Sequence, residues 1–217
     1  MFIGHFALGF AAKRAAPRMS LATLFAAAQL ADIIWPVLVA LGIEQVRIQP
    51  GITAFTPLDF VSYPYSHSLL TLLVWGALFG ALCARSTRDR RTWLVVGALV
   101  VSHWVLDWIT HRPDMPLYPG SGKFGLGLWN SVPATITVET LMFVAGLWIY
   151  ARATRARDAI GRRGFSALAG FLLVIYVANA IGPPPPSVTA IVIAGIAGAA
   201  VILWWAWWFD RHRSPVG

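Results

Sequence analysis

An ionisable side chain inside an apolar run is costly and therefore informative. His5 lies in a short apolar stretch at the start of the chain, and Asp32 lies midway along a longer one. His67 opens another, in Tyr63-Pro64-Tyr65-Ser66-His67-Ser68-Leu69-Leu70. His103, Asp107 and His111 follow one another at intervals of four, Asp114 comes just after them, and Glu139 sits inside a later apolar stretch. Four residues advance a helix by about 400°, or about 40° beyond a full turn. His103 and Asp107 therefore share a face, and His111 extends it if the helix persists to Pro113. A His and a carboxylate one turn apart can both point at one metal ion.

The elements that position these residues are membrane spans. Hydrophobic residues make up 58% of the 217 and charged residues only 12%, against about 25% charged in a typical soluble domain. Apolar runs of about 20 residues, each able to cross about 30 Å of hydrocarbon, recur at 20–43, 67–84, 92–110, 131–151, 165–181 and 188–209. An apolar helix at 2–13 is too short to cross alone and is expected to pack against the bundle or enter part of the membrane. The predicted fold is thus all-α: one integral membrane domain, 1–217, of about six transmembrane helices plus a short N-terminal helix. Gly76 and Gly80 form a GxxxG, a sign of close helix packing that does not specify a dimer. Pro183 to Pro186 read as a stiff turn, and Trp204, Trp205, Trp207 and Trp208 as an interfacial belt.

The net charge of +8 could mean nucleic acid, but the basic residues cluster between apolar runs, so no nucleic-acid partner is expected. Segment 13–18 holds three, 85–91 four, 152–164 five and the tail two, making 14, whereas the alternate segments hold only Arg47, Arg112 and Lys123. The positive-inside rule then places 13–18 and the C-terminus in the cytoplasm. In that orientation Asp32 is about 18 Å from the inner end of its span and Glu139 about 12 Å below the outer surface. His67 and His111 lie near the outer ends. One cavity opening outward can collect the whole set, and a shared cation would offset the cost of burying it. The alternatives are a proton- or ion-conducting polar path and hydrogen-bonded packing histidines. No broken mid-span helix pair or inverted repeat in the sequence favours transport. The lone Cys83 offers no disulfide, and Gly120-Ser121-Gly122-Lys123 lacks the spacing of a phosphate loop, leaving a flexible outer loop, a lid or a substrate contact.

These residues resemble a known family, the inner-membrane metal-dependent hydrolases of the YdjM-like, LexA-binding group. The resemblance rests on Gly4-His5, on Asp32 in an apolar helix, on Ser66-His67-Ser68-Leu69-Leu70, and on Ser102-His103 with Asp107 and Thr110, over about residues 1–120. The family often has a second Asp and a His after its first Asp, where this chain has Ile34 and Trp35, and a His-Arg pair before the Ser-His element, where this chain has Tyr63-Pro64-Tyr65. That group is similar to zinc-dependent phospholipase C, which implies a metal-activated water, a phosphoester or lipid-like substrate and membrane lipid as partner. Residues and resemblance together give His5, Asp32, His67, His103, Asp107 and His111 as metal ligands. The mixed N and O donors suit a divalent transition metal, Zn²⁺ first. Glu139 and Asp114 are the candidates for proton transfer, and Arg112 and Lys123 for holding a phosphate. The expected location is the inner membrane with both termini cytoplasmic and the site open to the outer side. A transport protein using the same cluster and a scaffold with a structural metal are the other readings. The topology predicts that Ser121→Cys is labelled by an impermeant reagent on intact cells and Thr87→Cys is not; outside labelling at position 87 would overturn it.

Overall fold

The computed structural model of the chain describes residues 1–216. It is mostly helical. α1 (Ile3–Ala15) is followed by α2 (Leu21–Ala28) and α3 (Leu30–Ala40), then a hairpin of β1 (Gln45–Ile48) and β2 (Leu58–Ser62). A one-turn helix, α4 (Pro64–His67), precedes α5 (Leu69–Thr87) and α6 (Arg90–Thr110). The short strands β3 (Met115–Pro116) and β4 (Lys123–Phe124) lead through a 3-10 turn at Leu128–Asn130 to α7 (Val132–Ala153). Then come β5 (Thr154–Ala156), α8 (Ala159–Ile181), α9 (Val188–Asp210) and β6 (Arg213–Pro215).

Five helices, α5 to α9, are each long and apolar enough to cross a membrane, and α2 with α3, bent by 59°, is long and apolar enough for a sixth if the pair is taken as one span. Five to six spans and a short first helix agree with the sequence reading of about six. Outward faces are apolar: Leu78 and Leu82 on α5, Leu141 and Val144 on α7, and Val174 and Ile193 on α8 and α9 are all exposed. An exposed apolar belt of this extent needs a lipid surround.

Four local features depart from the sequence reading. The first span is two helices: a broken span was not expected, and no Gly or Pro lies at the break to announce it. Gln29 leaves the helical region at φ −107° and ψ 11°. Second, His67 does not open α5. It ends α4, and Ser68, in extended conformation, starts the span by capping Thr71 N. Third, α6 stops at Thr110, so His111 is an extended cap residue. Glycines build this end: Gly125 packs so tightly on Arg112 that a Cβ would lie 2.1 Å from its carbonyl oxygen. That approach lets Leu126 and Gly127 donate to the Trp108 and His111 carbonyls, satisfying acceptors a helix end leaves open. Fourth, three two-stranded antiparallel ladders stand at the ends of the bundle. In the first, Arg47 faces Asp59.

Helix α1 is no span; it is buried on most of its faces within the bundle. Gly146 of α7 admits its backbone, since a Cβ there would lie 2.4 Å from Ala7 O. Gly76 and Gly80 do the same for α6, facing Gly97 O and Trp93 O, so the GxxxG is used inside the chain. At the arginine-rich end Lys13, counted as a loop charge from the sequence, is buried. Its Nζ lies 2.7 Å from Asp210 Oδ2 and donates to Met19 O. Asp210 also accepts from Leu21 N and Tyr150 OH, tying α1, α2, α7 and α9 together. Trp204, Trp207 and Trp208 are exposed at the same level, and Arg211 lies over Trp207.

Removing one partner of a buried ion pair leaves the other charge uncompensated, at about 3–5 kcal/mol. Lys13→Met should therefore lower the thermal stability of the detergent-solubilised protein by that order. An unchanged melting curve would show that the Lys13–Asp210 pair does not hold this end together.

Candidate metal centre

The polar cluster forms where α1, α3, α4 and α6 meet. Asp107 is at its centre, almost fully buried. Its Oδ1 lies 3.0 Å from His5 Nε2 and 2.5 Å from the Met1 amino nitrogen. Its Oδ2 lies 3.1 Å from His103 Nε2, 3.8 Å from His67 Nε2 and 3.9 Å from His111 Nε2. Asp32 Oδ1 approaches His67 Nε2 at 3.4 Å and His103 Nε2 at 3.7 Å. The ligand atoms of His5, His103 and Asp107 lie within 4.8 Å of one another, as do those of Asp32, His67 and His103. The six residues read from the sequence as metal ligands are thus brought together, including His111 from beyond the end of α6.

The opposite nitrogens of three of these rings fix their tautomers. His103 Nδ1 is 2.8 Å from Ala28 O. A carbonyl can only accept, so Nδ1 carries the proton. That carbonyl is free because the break at Gln29 interrupts the helix ladder. His67 Nδ1 is 2.7 Å from Ser66 Oγ, which itself donates to Glu44 Oε2 at 2.6 Å. With its hydroxyl proton committed to the carboxylate, Ser66 accepts from His67 Nδ1. Glu44 is buried and held in turn by Tyr65 N and Ser66 N. His111 Nδ1 donates to Asp114 Oδ1 at 2.9 Å, and Tyr63 OH donates to the same oxygen at 2.7 Å. Burial lowers the His111 pKa, more than Asp114 raises it, and burial with the Asp114 charge keeps the Tyr63 phenol protonated.

In the neutral rings, then, the Nε2 atoms of His67, His103 and His111 present lone pairs toward carboxylate oxygens. His103 Nε2 is buried with no hydrogen-bond partner. Lone pairs facing anions call for a positive charge between them. Imidazoles whose rear N–H is held by a carbonyl, a carboxylate or a polar chain are the usual form of metal-ligating histidine. The donor set of four imidazoles and two carboxylates fits a divalent transition metal.

The remaining sequence candidates lie around this core. Glu139 is fully buried, and its Oε2 accepts from Phe2 N at 2.8 Å and Gly4 N at 3.2 Å while its Oε1 has no partner. Asp114 stands behind His111. Arg112 is paired with Asp59 and lies 3.4 Å from Asp114 Oδ2. Lys123 donates to Val61 O. Sequence reasoning missed Glu44, Tyr63 and the Ala28 carbonyl. Glu44 was an acid in an outer segment with no partner at helical spacing, and a backbone carbonyl carries no residue signal at all.

Asp32 differs from the other ligands in exposure. Its side chain is 41% exposed, and it lines a cavity of about 800 Å³ bounded by α3, α8, α9 and the 50–57 loop. Trp129 covers the other side, its ring 4.1 Å from that of His111.

No curated protein and no solved structure matches the chain. A family profile does: that of the YdjM inner membrane protein matches residues 1–183. With its apolar spans, the chain is a multi-pass inner-membrane protein that belongs to the YdjM inner membrane protein family.

Proposed function

We propose that the protein is a membrane-embedded, metal-dependent hydrolase of a phosphoester or lipid-like substrate, with its site open to the outer side of the membrane. The observation that carries this reading is the convergence of three imidazole Nε2 lone pairs, each fixed by a different partner on Nδ1, on the carboxylates of Asp32 and Asp107. His5, Asp32, His67, His103, Asp107 and His111 would hold the ion, Zn²⁺ by its donor preference. A bound divalent ion supplies Lewis acidity and brings the pKa of a water on it toward about 7.

The chain's own groups supply the rest. Asp32, the exposed carboxylate, stands where a substrate in the cavity meets the cluster. Glu139 Oε1, buried and unpartnered, is the atom able to take a proton. Asp114 is committed to the His111 Nδ1 proton and keeps that ring in its tautomer. Arg112, next to His111, and Lys123 are the basic groups proposed to hold a phosphate at this end.

One observation favours a second reading. A span broken beside an intramembrane carboxylate, as α2–α3 is beside Asp32, is a device of ion-coupled transporters. The two readings separate by measurement.

Metal analysis of purified protein should give at least one transition-metal ion per chain, lost on His103→Ala or Asp107→Ala. Stoichiometric metal in the double variant would overturn the ligand assignment. Hydrolysis of phosphomonoesters, phosphodiesters or lipid extracts should be abolished by chelation and restored by Zn²⁺ or Mn²⁺. Glu139→Gln should lower the rate by about 10²–10⁴-fold with metal still bound. If metal-loaded protein is inert to all three substrate classes but moves ions across liposomes, the transport reading replaces the hydrolase.

A further inference from the structure

The cavity beside Asp32 is much larger than the cluster requires, and its walls differ from it. Apart from Gln29, Asp32 and a few residues near the rim, the lining is apolar, with Phe2, Phe6 and Ile33 on one side and small residues of α9 on the other. Along α9 the wall runs from Ala190 to Leu203, about 20 Å at the helical rise. Half of a hydrocarbon core is about 15 Å, so the wall is long enough for a chain of one leaflet. Its rim is made by the 50–57 loop and Pro183 to Pro186, at the hairpin end. Gly198 keeps it open: a Cβ there would meet nothing within 4 Å.

From this we infer that the cavity is a tail site. It takes one hydrocarbon chain of a membrane lipid along α9, with the lipid's polar group beside Asp32 at the cluster. The occupant must be apolar over most of its length, because the walls are, and polar where it meets Asp32, the one charged residue of the lining. The surrounding membrane holds molecules of this form at high local concentration. The inference names the substrate class for the hydrolase reading and rests on it only for what happens to the polar group; occupancy by the tail does not depend on turnover.

The test uses full-length protein in nanodiscs of phosphatidylethanolamine and phosphatidylglycerol, containing a trace of phospholipid with a diazirine near the end of one acyl chain. After irradiation, adducts are mapped by mass spectrometry. Adducts are expected on the inner face of α9 up to Leu203, as well as on lipid-facing Leu78 of α5. Gly198→Phe, which fills the cavity, should reduce the inner adducts to background while those at Leu78 persist; Gly198→Leu is the smaller replacement if the Phe variant does not fold. Inner adducts that are absent from the wild type, or unchanged in a folded Gly198 variant, would overturn the tail site. Chelation should leave the inner adducts intact. Inner adducts without any hydrolysis would sink the enzyme reading and keep the tail site. Metal-dependent hydrolysis equally fast on short-chain and long-chain phosphoesters, with no inner adducts, would do the reverse.

Discussion

A carboxylate buried in an apolar interior must be met by positive charge, and Asp107 is the group in this protein that imposes that demand. Desolvating one such ion costs several kcal/mol unless partners surround it. Asp107 therefore dictates what its neighbours can be. Its Oδ1 meets the Met1 amine, just before α1, and His5 of α1, and its Oδ2 faces His103 on its own helix, His67 at the end of α4 and His111 beyond α6. Placing α1 inside the bundle follows from this. A 13-residue helix cannot span a membrane, but it can carry a histidine to mid-depth if its backbone is admitted by small residues such as Gly146.

Ligands at this depth need fixing from behind, and each connecting segment supplies one such support. The α2–α3 break offers the Ala28 carbonyl to His103. The hairpin segment brings Glu44, which holds Ser66 and through it His67. The turn after α6 brings Asp114, with Tyr63 from the strand side, to His111. The supports are chemically different, but each accepts a hydrogen bond from Nδ1–H and leaves Nε2 facing inward. A ring held in this way loses little freedom when it takes a ligand, which is how a distributed set of histidines becomes one site.

What was legible in the sequence was what helical periodicity and residue type control locally. The spans followed from apolar runs, and the shared face of His103 and Asp107 from their four-residue spacing. His5, Asp32 and His67 stood out because charge in an apolar run is costly. What was not legible depended on tertiary partners. Nothing in Ala28-Gln29-Leu30 announces a 59° bend, since no Gly or Pro is there. Glu44 lay in an outer segment with no neighbour in sequence to pair with. His111 reached the cluster although its helix ended early, through a loop closed by Gly125 and Gly127. Lys13 was read by its type as a solvated loop charge, whereas the deciding fact was Asp210, distant in sequence on the last helix. Counting charges finds which loops are basic and says nothing about which members turn inward.

The break in the first span joins the two halves of the structure. Were α2 and α3 one straight helix, Asp32 N would bond the Ala28 carbonyl, and His103 would share with the helix ladder the acceptor that fixes its tautomer. At the same time α3 would stay beside α2 rather than leaving it at an angle. That divergence makes α3 one wall of the cavity against α8 and α9, and it leaves Asp32 partly exposed where every other ligand is covered. A single backbone interruption thus orients one ligand, exposes another and opens the approach between them. Sealing the span would loosen the hold on His103 and narrow the approach together, and for that reason the bend belongs to the site rather than to the scaffold alone.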